Sequence, residues 1–499
     1  MTIISQLENA KNFKGSVITY GHFNTIHIGH IRYLKHASNQ GSSLIIALIG
    51  DIKDGENNRY QFNQIERAES LALLNIADAI ILLKSNELSE VIRTLNPNLL
   101  LLGTEFKNHQ PSEISSAIKL IKSNKGNVQF HAGEVHYATT SLLSSSKAEL
   151  LEQRHEQFRA ACKRQKLDLK SLLNSIKSWN SSKLIVIGDT ILDQYVACEA
   201  IGMSAEAPVV VVRELDQRNF IGGAAIVASH IRSLGATCDL ISIVGKDSIA
   251  NIVRNELSKR EIGDFLIQDS SRPTTFKKRY LVEDQKLFRV SRLEDHRLCP
   301  NIENQLIKKL EQSAPSSQGI VVSDFVYGVI TSKVLEAIES LAKKYKLHVF
   351  GDLQCSSQVG LVTKFNNFSL ISPNEREARV ALQDKETGIE RIAYKLLEKT
   401  NSERLVMKLG PEGFIAYDKS KPQEVTSQAF PALSVSPLDV TGAGDSLLAV
   451  MSTGLASKQG TMATAALGCC MASLAVEAMG NTPINADSLA NKLKEVLGE

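Results

Sequence analysis

The sequence predicts an α/β protein with more than one domain, and three observations carry that prediction. A chain of 499 residues exceeds what one ordinary hydrophobic core organises, so two or three domains are expected. Short apolar runs alternate with amphipathic stretches along most of the chain, the pattern of parallel strands joined by crossover helices. Glycine-bearing turns recur where an apolar run passes into a helical pattern, at the strand ends where sheets of this kind bind ligands. Three parts are predicted: a first unit over 1–144, a helical linker over 145–168 and a second unit over 169–499, with a small β lid in the last.

Composition narrows the function. The net charge of +3, without a long basic run, gives no support to a nucleic-acid or membrane-surface partner. Seven scattered cysteines without CxxC spacing point to a reducing compartment. The first residues lack the apolar core of a signal peptide, and the apolar stretch 465–476 is too short to span a bilayer. A cytoplasmic protein is expected.

In the first unit, the apolar run 16–20 leads into Gly21-His22-Phe23-Asn24-Thr25-Ile26-His27-Ile28-Gly29-His30, then an amphipathic stretch and a second apolar run from 43. Further apolar runs at 79–83, 99–102 and 128–130 alternate with helical patterns. The decorated turn therefore succeeds the first strand and opens a helix. His27 and His30 can face one ligand there, with Gly29 leaving room, and imidazoles with helix amides can grip a polyphosphate. Two other readings stay open: one histidine caps the helix while the other is exposed, or His22, His27 and His30 hold zinc, although no further ligand lies at a metal-like spacing beyond them.

These residues resemble the GxFDxxHxGH signature of cytidylyltransferase-like nucleotidyltransferases, whose domain is Rossmann-like. The resemblance implies joining of a nucleoside triphosphate to a sugar phosphate with release of pyrophosphate. It implies nucleotide contacts from Gly21, Phe23, His27 and His30, the histidines being catalytic, and further contacts from Arg59, Arg67, Thr139 and Thr140. For Arg67, on a predicted helix, a surface ion pair is the alternative. Asn24 stands where the family usually has aspartate; if that residue caps the turn, asparagine serves, since both accept from backbone amides, whereas if its charge helps organise magnesium, asparagine lowers the activity.

The polar linker has Leu172, Leu173 and Ile176 at helical spacing just beyond it, suited to packing on a partner. The second unit opens with a strand at 183–188, and further strands are expected at 240–244, 319–322, 348–350 and 405–407. Two stretches, 208–213 and 275–292, are rich in β-branched or aromatic residues with little helix pattern, and read as a small sheet covering a cleft.

The motif that organises this unit is Asp439-Val440-Thr441-Gly442-Ala443-Gly444-Asp445-Ser446, ahead of a long apolar helix. It reads as a phosphate site with its own base: glycines admit the ligand, first-turn amides favour an anion, and Asp445 can take a proton from an attacking hydroxyl. A capped helix after a glycine turn is the plainer reading. Three other turns join it: Gly222-Gly223 before a helix, Asn374 with Glu377 about one turn apart, and Lys408-Leu409-Gly410-Pro411-Glu412-Gly413 after a strand. Asp193 adds a carboxylate shortly after the first strand.

Together these motifs resemble the ribokinase-like carbohydrate kinases, and MSAEAPVVVV is similar to the heptose-phosphate kinase branch. The resemblance implies Asp445 as general base, an anion hole from Gly442, Ala443 and Gly444, magnesium managed by Asn374 and Glu377, nucleotide contacts from Lys408, Gly410 and Gly413, and sugar contacts from Asp193, Gly222 and Gly223. Ile226, Tyr327 and the Gly351-Asp352-Leu353-Gln354 stretch depart from the family's asparagine, lysine and Asp-Pro-Lys, all on the sugar side.

The pair of units resembles bifunctional heptose kinase/nucleotidyltransferases, although there the kinase half precedes. That likeness implies a sugar-phosphate acceptor, ATP as phosphoryl donor, ATP or CTP as activating nucleotide, Mg2+, and a homodimer through the kinase unit. A kinase with a merely regulatory first unit is the alternative.

Overall fold

The structure is a computed structural model that describes residues 2–498 apart from 8–12, 14, 52, 55–56, 59–61, 85–86, 104, 109, 132–146, 284, 356–357, 386 and 422–423. The chain forms two compact units, one of Met1–Arg164 with Leu382–Leu396 and Pro411–Pro431, the other of Gln165–Ala381, Leu397–Gly410 and Ala432–Glu499.

The first unit is built on a six-stranded, wholly parallel sheet. Its order is Ile3–Ser5, Ala79–Leu82, Leu44–Leu48, Val17–Gly21, Leu99–Gly103, Asn127–His131. Successive strands step to one side of Val17–Gly21 and then cross to the other, so the order reverses beside that strand. A crevice opens at such a reversal, and the Gly21–His30 turn enters it. Strand residues with both faces covered must be apolar on both, which is why Leu44–Leu48 and Leu99–Gly103 read as unbroken aliphatic runs.

Helix Lys147–Arg164, within the stretch expected as a polar linker, carries a packed face. Phe158, Ala161 and Cys162, at helical spacing, are buried, and Arg164 donates to the Ile76 carbonyl at 2.9 Å. The hairpin Phe414–Lys421 with Glu424–Phe430 also clusters with this unit.

In the second unit, seven parallel strands run in the order Gly263–Gln268, Thr237–Val244, Lys183–Gly188, Gly319–Asp324, His348–Leu353, Leu370–Ile371, Arg404–Lys408. The lid is a separate four-stranded sheet, ordered Val210–Gly223, Thr190–Met203, Thr275–Val282, Gln285–Arg292. It is larger than the two expected stretches, because Thr190–Met203 runs on directly from the first core strand. Leu172 and Ile176 are buried within this unit on helix Leu169–Ser178. Among the described residues no helix is long and apolar enough to cross a membrane. Cys162, Cys198, Cys238, Cys299 and Cys355 form no disulfide among the described residues.

Lid and core meet at Gly223, which precedes the buried helix Ala224–Ser233. Its φ of 60° is left-handed, and a Cβ there would lie 2.1 Å from the Asp189 carbonyl oxygen, which itself accepts from the Ala224 amide at 2.9 Å. Gly223→Ala is therefore expected to destabilise the second unit by roughly 2–4 kcal/mol. Urea unfolding of the whole chain would report it as an earlier transition; an unchanged midpoint would contradict this account of the junction.

Candidate active site

The turn after Asp439 delivers the chain into helix Ala443–Ala456 through Gly442, at φ 83°. A Cβ on Gly442 would lie 2.3 Å from Asn481 Oδ1, so only glycine fits. The first amide of the helix ladder to find a carbonyl is Ser446, bonded to the Gly442 oxygen at 2.9 Å. The preceding first-turn amides, on Ala443, Gly444 and Asp445, have no carbonyl in the helix to bond and present the positive end of the dipole. These three amides are the ones that the octapeptide reading sets against an anion.

Asp445 is buried in that turn. Gln354 Nε2 donates to Asp445 Oδ1 at 2.8 Å and to Asp352 Oδ2 at 3.2 Å. Lys408 Nζ bonds the other Asp352 oxygen at 2.6 Å. Burial first, and then the Asp352 charge, push the Asp445 carboxyl up to about 7, against the pull of Lys408 and the Gln354 hydrogen bond. Burial opposes the Lys408 charge, but Asp352, Glu377 and Asp445 hold its ammonium above the ordinary lysine range. The result is a fixed cation on Asp352 and, one residue past Gly444, a carboxyl poised to exchange a proton near neutrality.

Asp439, the other acid of the octapeptide, is committed to structure. It accepts from Lys286 Nζ at 2.7 Å, Tyr195 Oη at 2.6 Å and the Thr441 amide at 3.0 Å. Burial works against its charge, yet the donors Lys286, Tyr195 and Thr441 hold its carboxyl down at about 2. Lys286 and Tyr195 lie on lid strands, so Asp439 ties the lid to the phosphate turn.

On the acceptor side, Asp193 lies in the lid strand Thr190–Met203, ion-paired with Arg279 and bonded by Asn481 Nδ2 at 3.4 Å. A Cβ on Gly222 would come within 2.5 Å of Asp193 Oδ2, which explains the glycine there. Ile226 is buried in helix Ala224–Ser233. Tyr327 is buried too, with Lys277 Nζ 5.2 Å from its ring centroid.

Asn374 and Glu377 form a reciprocal capping box at helix Glu375–Leu382, each side chain bonding the other's amide at 2.9 Å. Glu377 Oε1 accepts from the Cys355 amide at 3.3 Å. Burial raises the Glu377 carboxyl, Lys408 pulls against it, and the Asp352 charge adds to the rise. Among the described residues no three His, Cys, Asp or Glu side chains converge as a metal cage. This donor set fits a cation that arrives already bound to phosphate and water, needing only one nearby carboxylate. Gly410 and Gly413 both adopt left-handed backbone in the loop after Lys408.

In the first unit, His27 caps helix Ile28–Ser38, its Nδ1 accepting from the Gly29 amide at 3.1 Å. The His27 and His30 rings lie 4.0 Å apart. Burial, then the neighbouring His27 and His22, lower His30 to about 4, so it is a neutral imidazole at pH 7, and its buried Nδ1 has no hydrogen bond among the described residues. His30 can therefore offer phosphate a hydrogen bond rather than a charge until an anion arrives. Phe23, at φ 44°, sets its ring against His30 with centroids 5.3 Å apart. A Cβ on Gly21 would press on the Phe23 ring at 2.9 Å.

Asn24 Oδ1 accepts from the Phe62 amide at 3.3 Å, a long-range bond that ties the turn to the segment ahead of helix Gln64–Leu74. Arg67 is not at the surface, as the ion-pair alternative required, but 1% exposed. It donates to the carbonyls of His22, Phe62 and Ile49 and to Asp51 Oδ1, bracing the turn from behind. Arg59, Thr139 and Thr140 lie outside the described residues.

Sequence reasoning missed Lys286, Arg279, Tyr195 and Asn481. The alternation of basic with apolar residues over Thr275–Val282 and Gln285–Arg292 was the available signal, since one face of a lid strand must meet the acidic cleft. Asn481 carries no local signal.

A buried acid, a glycine turn at a helix mouth and a β lid lie together on an open parallel sheet. The chain belongs to the pfkB family of carbohydrate kinases, whose family model matches residues 181–487, and residues 18–256 match the cytidylyltransferase-like model. Among curated proteins it is 32% identical over 287 residues to the bifunctional protein HldE of Campylobacter jejuni subsp. jejuni serotype O:6, covering 56% of this chain and 58% of that one. It is 30% identical over 320 residues to the HldE of Geobacter sulfurreducens, covering 63% and 64%. The chain thus spans about three fifths of the length of these curated relatives. Phosphofructokinase-2 of Escherichia coli, in complex with substrates and products, shares the fold, with TM-score 0.53 at 17% identity over 63% of this chain and 99% of that one.

A folded-state pKa raised from 3.8 to about 7 makes Asp445 a stabilising group only while protonated. That contribution is complete below about pH 4 and is lost as pH rises through about 7. Asp445→Asn is expected to melt above the wild type at pH 8.5 and to show a flatter dependence of Tm on pH. Asp189, also raised to about 7 by burial and Asp324, retains its share of the slope. A variant that melts below the wild type at pH 8.5 would contradict the assignment.

Proposed function

We propose that the chain is a bifunctional transferase. Its second unit moves the γ-phosphoryl group of ATP to a hydroxyl of a sugar phosphate of the heptose-phosphate type, and its first unit joins a nucleoside triphosphate to a sugar phosphate with release of pyrophosphate. The single observation that carries the kinase reading is Asp445, buried with its carboxyl near 7 in the first turn of helix Ala443–Ala456.

The acceptor hydroxyl loses its proton to Asp445 as its oxygen bonds to the γ-phosphorus and the bond to the β-phosphate oxygen breaks, leaving ADP. The Gly442–Gly444 turn and the helix amides steady the charge on the transferred group. Asp193, Gly222 and Gly223 border the acceptor, with the Lys408–Gly413 loop on the nucleotide side. Glu377 and Asn374 would hold magnesium through water, and that ion supplies neutralisation of the phosphate charge.

In the first unit the sugar phosphate is itself the nucleophile, so no protein base is needed. His27 and His30 hold the triphosphate at the helix mouth, with Gly21 and Phe23 shaping the turn, and a phosphate there draws a proton onto His30. ATP and CTP are the candidate activating nucleotides. The exposed apolar residues of the lid, among them Met203, Val210, Leu215, Phe288 and Val290, favour a homodimer formed through the kinase unit. The proposed setting is the cytoplasm, where ATP is supplied.

The test is release of ADP and pyrophosphate from a panel of hexose and heptose phosphates with ATP and CTP. Because the base must be ionised, kcat/KM for ADP release should rise tenfold per pH unit up to about 7 and then level. No ADP with any acceptor would overturn the kinase reading, and no pyrophosphate the transferase reading.

A further inference from the structure

Gln354 comes directly after strand His348–Leu353, where its backbone amide bonds the Asp324 carbonyl at 2.9 Å and fixes the start of the loop. Its side-chain nitrogen has two protons, and two carboxylates receive them: Asp445 Oδ1 at 2.8 Å and Asp352 Oδ2 at 3.2 Å. Lys408 cannot take this place, since its ammonium is on Asp352 Oδ1. Asp445 Oδ2 has no hydrogen bond among the described residues, which leaves it for an incoming hydroxyl.

We propose that Gln354 is a positioning residue for phosphoryl transfer: its amide holds Asp445 by one oxygen, presents the other to the acceptor, and bridges the two buried carboxylates Asp445 and Asp352. This rests on Asp445 as the base. A carboxylate free to rotate would lose the alignment that proton transfer needs, and without a donor between them Asp445 and Asp352 would repel at short range in a low-dielectric site. The charged groups acting on Asp445 are Asp352 and Lys408 from the core strands and Asp193 from the lid. Of these only Lys408 favours the ionised base, so the neutral amide supplies the remaining compensation. In the sequence Gln354 stands out only as a departure from Asp-Pro-Lys; in the structure it touches the base.

Two substitutions with opposite signs test the proposal. Gln354→Leu removes the donor and leaves the bulk, and Gln354→Lys replaces it with a cation. NMR titration of carbon-13-labelled aspartate in the full chain, with Asp445 assigned by its loss in Asp445→Asn, needs no acceptor. Asp445 should titrate about one unit higher in the leucine variant and about one unit lower in the lysine variant. The acid limb of kcat/KM for ADP release, with the fastest acceptor of the hexose and heptose phosphate panel, should move the same way. An Asp445 titration unchanged in both variants would overturn the role of Gln354 even if ADP release confirms the kinase. Shifts of opposite sign support it, whatever the panel shows about the acceptor.

Discussion

Asp445 is buried in the first turn of the helix that begins two residues before it, and among the described residues no cation is ion-paired with it. Lys408, the cation whose charge favours the ionised Asp445, is itself bonded to Asp352, and the hydrogen bond that Asp445 accepts comes from the neutral amide of Gln354. Such an acid costs folding free energy when ionised and becomes a useful base for the same reason. The glycine turn, the buried Asp352–Lys408 pair and the lid are the features that keep it in that state.

The two acids of one octapeptide show how environment divides roles. Asp439 has three strong donors and stays ionised, with its carboxyl near 2; Asp445 has one neutral donor and an acidic neighbour, with its carboxyl near 7. One anchors the lid strands through Lys286 and Tyr195, and the other remains available for chemistry. In the first unit His30 is neutral at pH 7, because burial and the neighbouring His27 and His22 disfavour its charge.

Much of this was legible in sequence because it is local. The strands announce themselves as aliphatic runs, and Gly223 and Gly442 stand at turns whose left-handed backbone calls for glycine. The lid was only half legible: Thr190–Met203 mixes small, acidic and apolar residues, since part of it is buried and its far end is exposed. What sequence could not reveal is pairing across distance. Nothing in the chain says that Lys408 meets Asp352, that Lys286 meets Asp439, or that Gln354 lies against Asp445, and these contacts set the charges. Arg67 illustrates the converse, a residue found at the site whose donors are taken up by carbonyls of the turn it braces.

The most direct measurement of the central claim is the rate of phosphoryl transfer by Asp445→Asn under saturating ATP and acceptor, alongside its ATP affinity. Loss of a general base with the anion cradle intact predicts a kcat lower by about 10²–10⁴-fold with ATP binding within a few-fold of the wild type. A kcat within tenfold of the wild type would contradict the account.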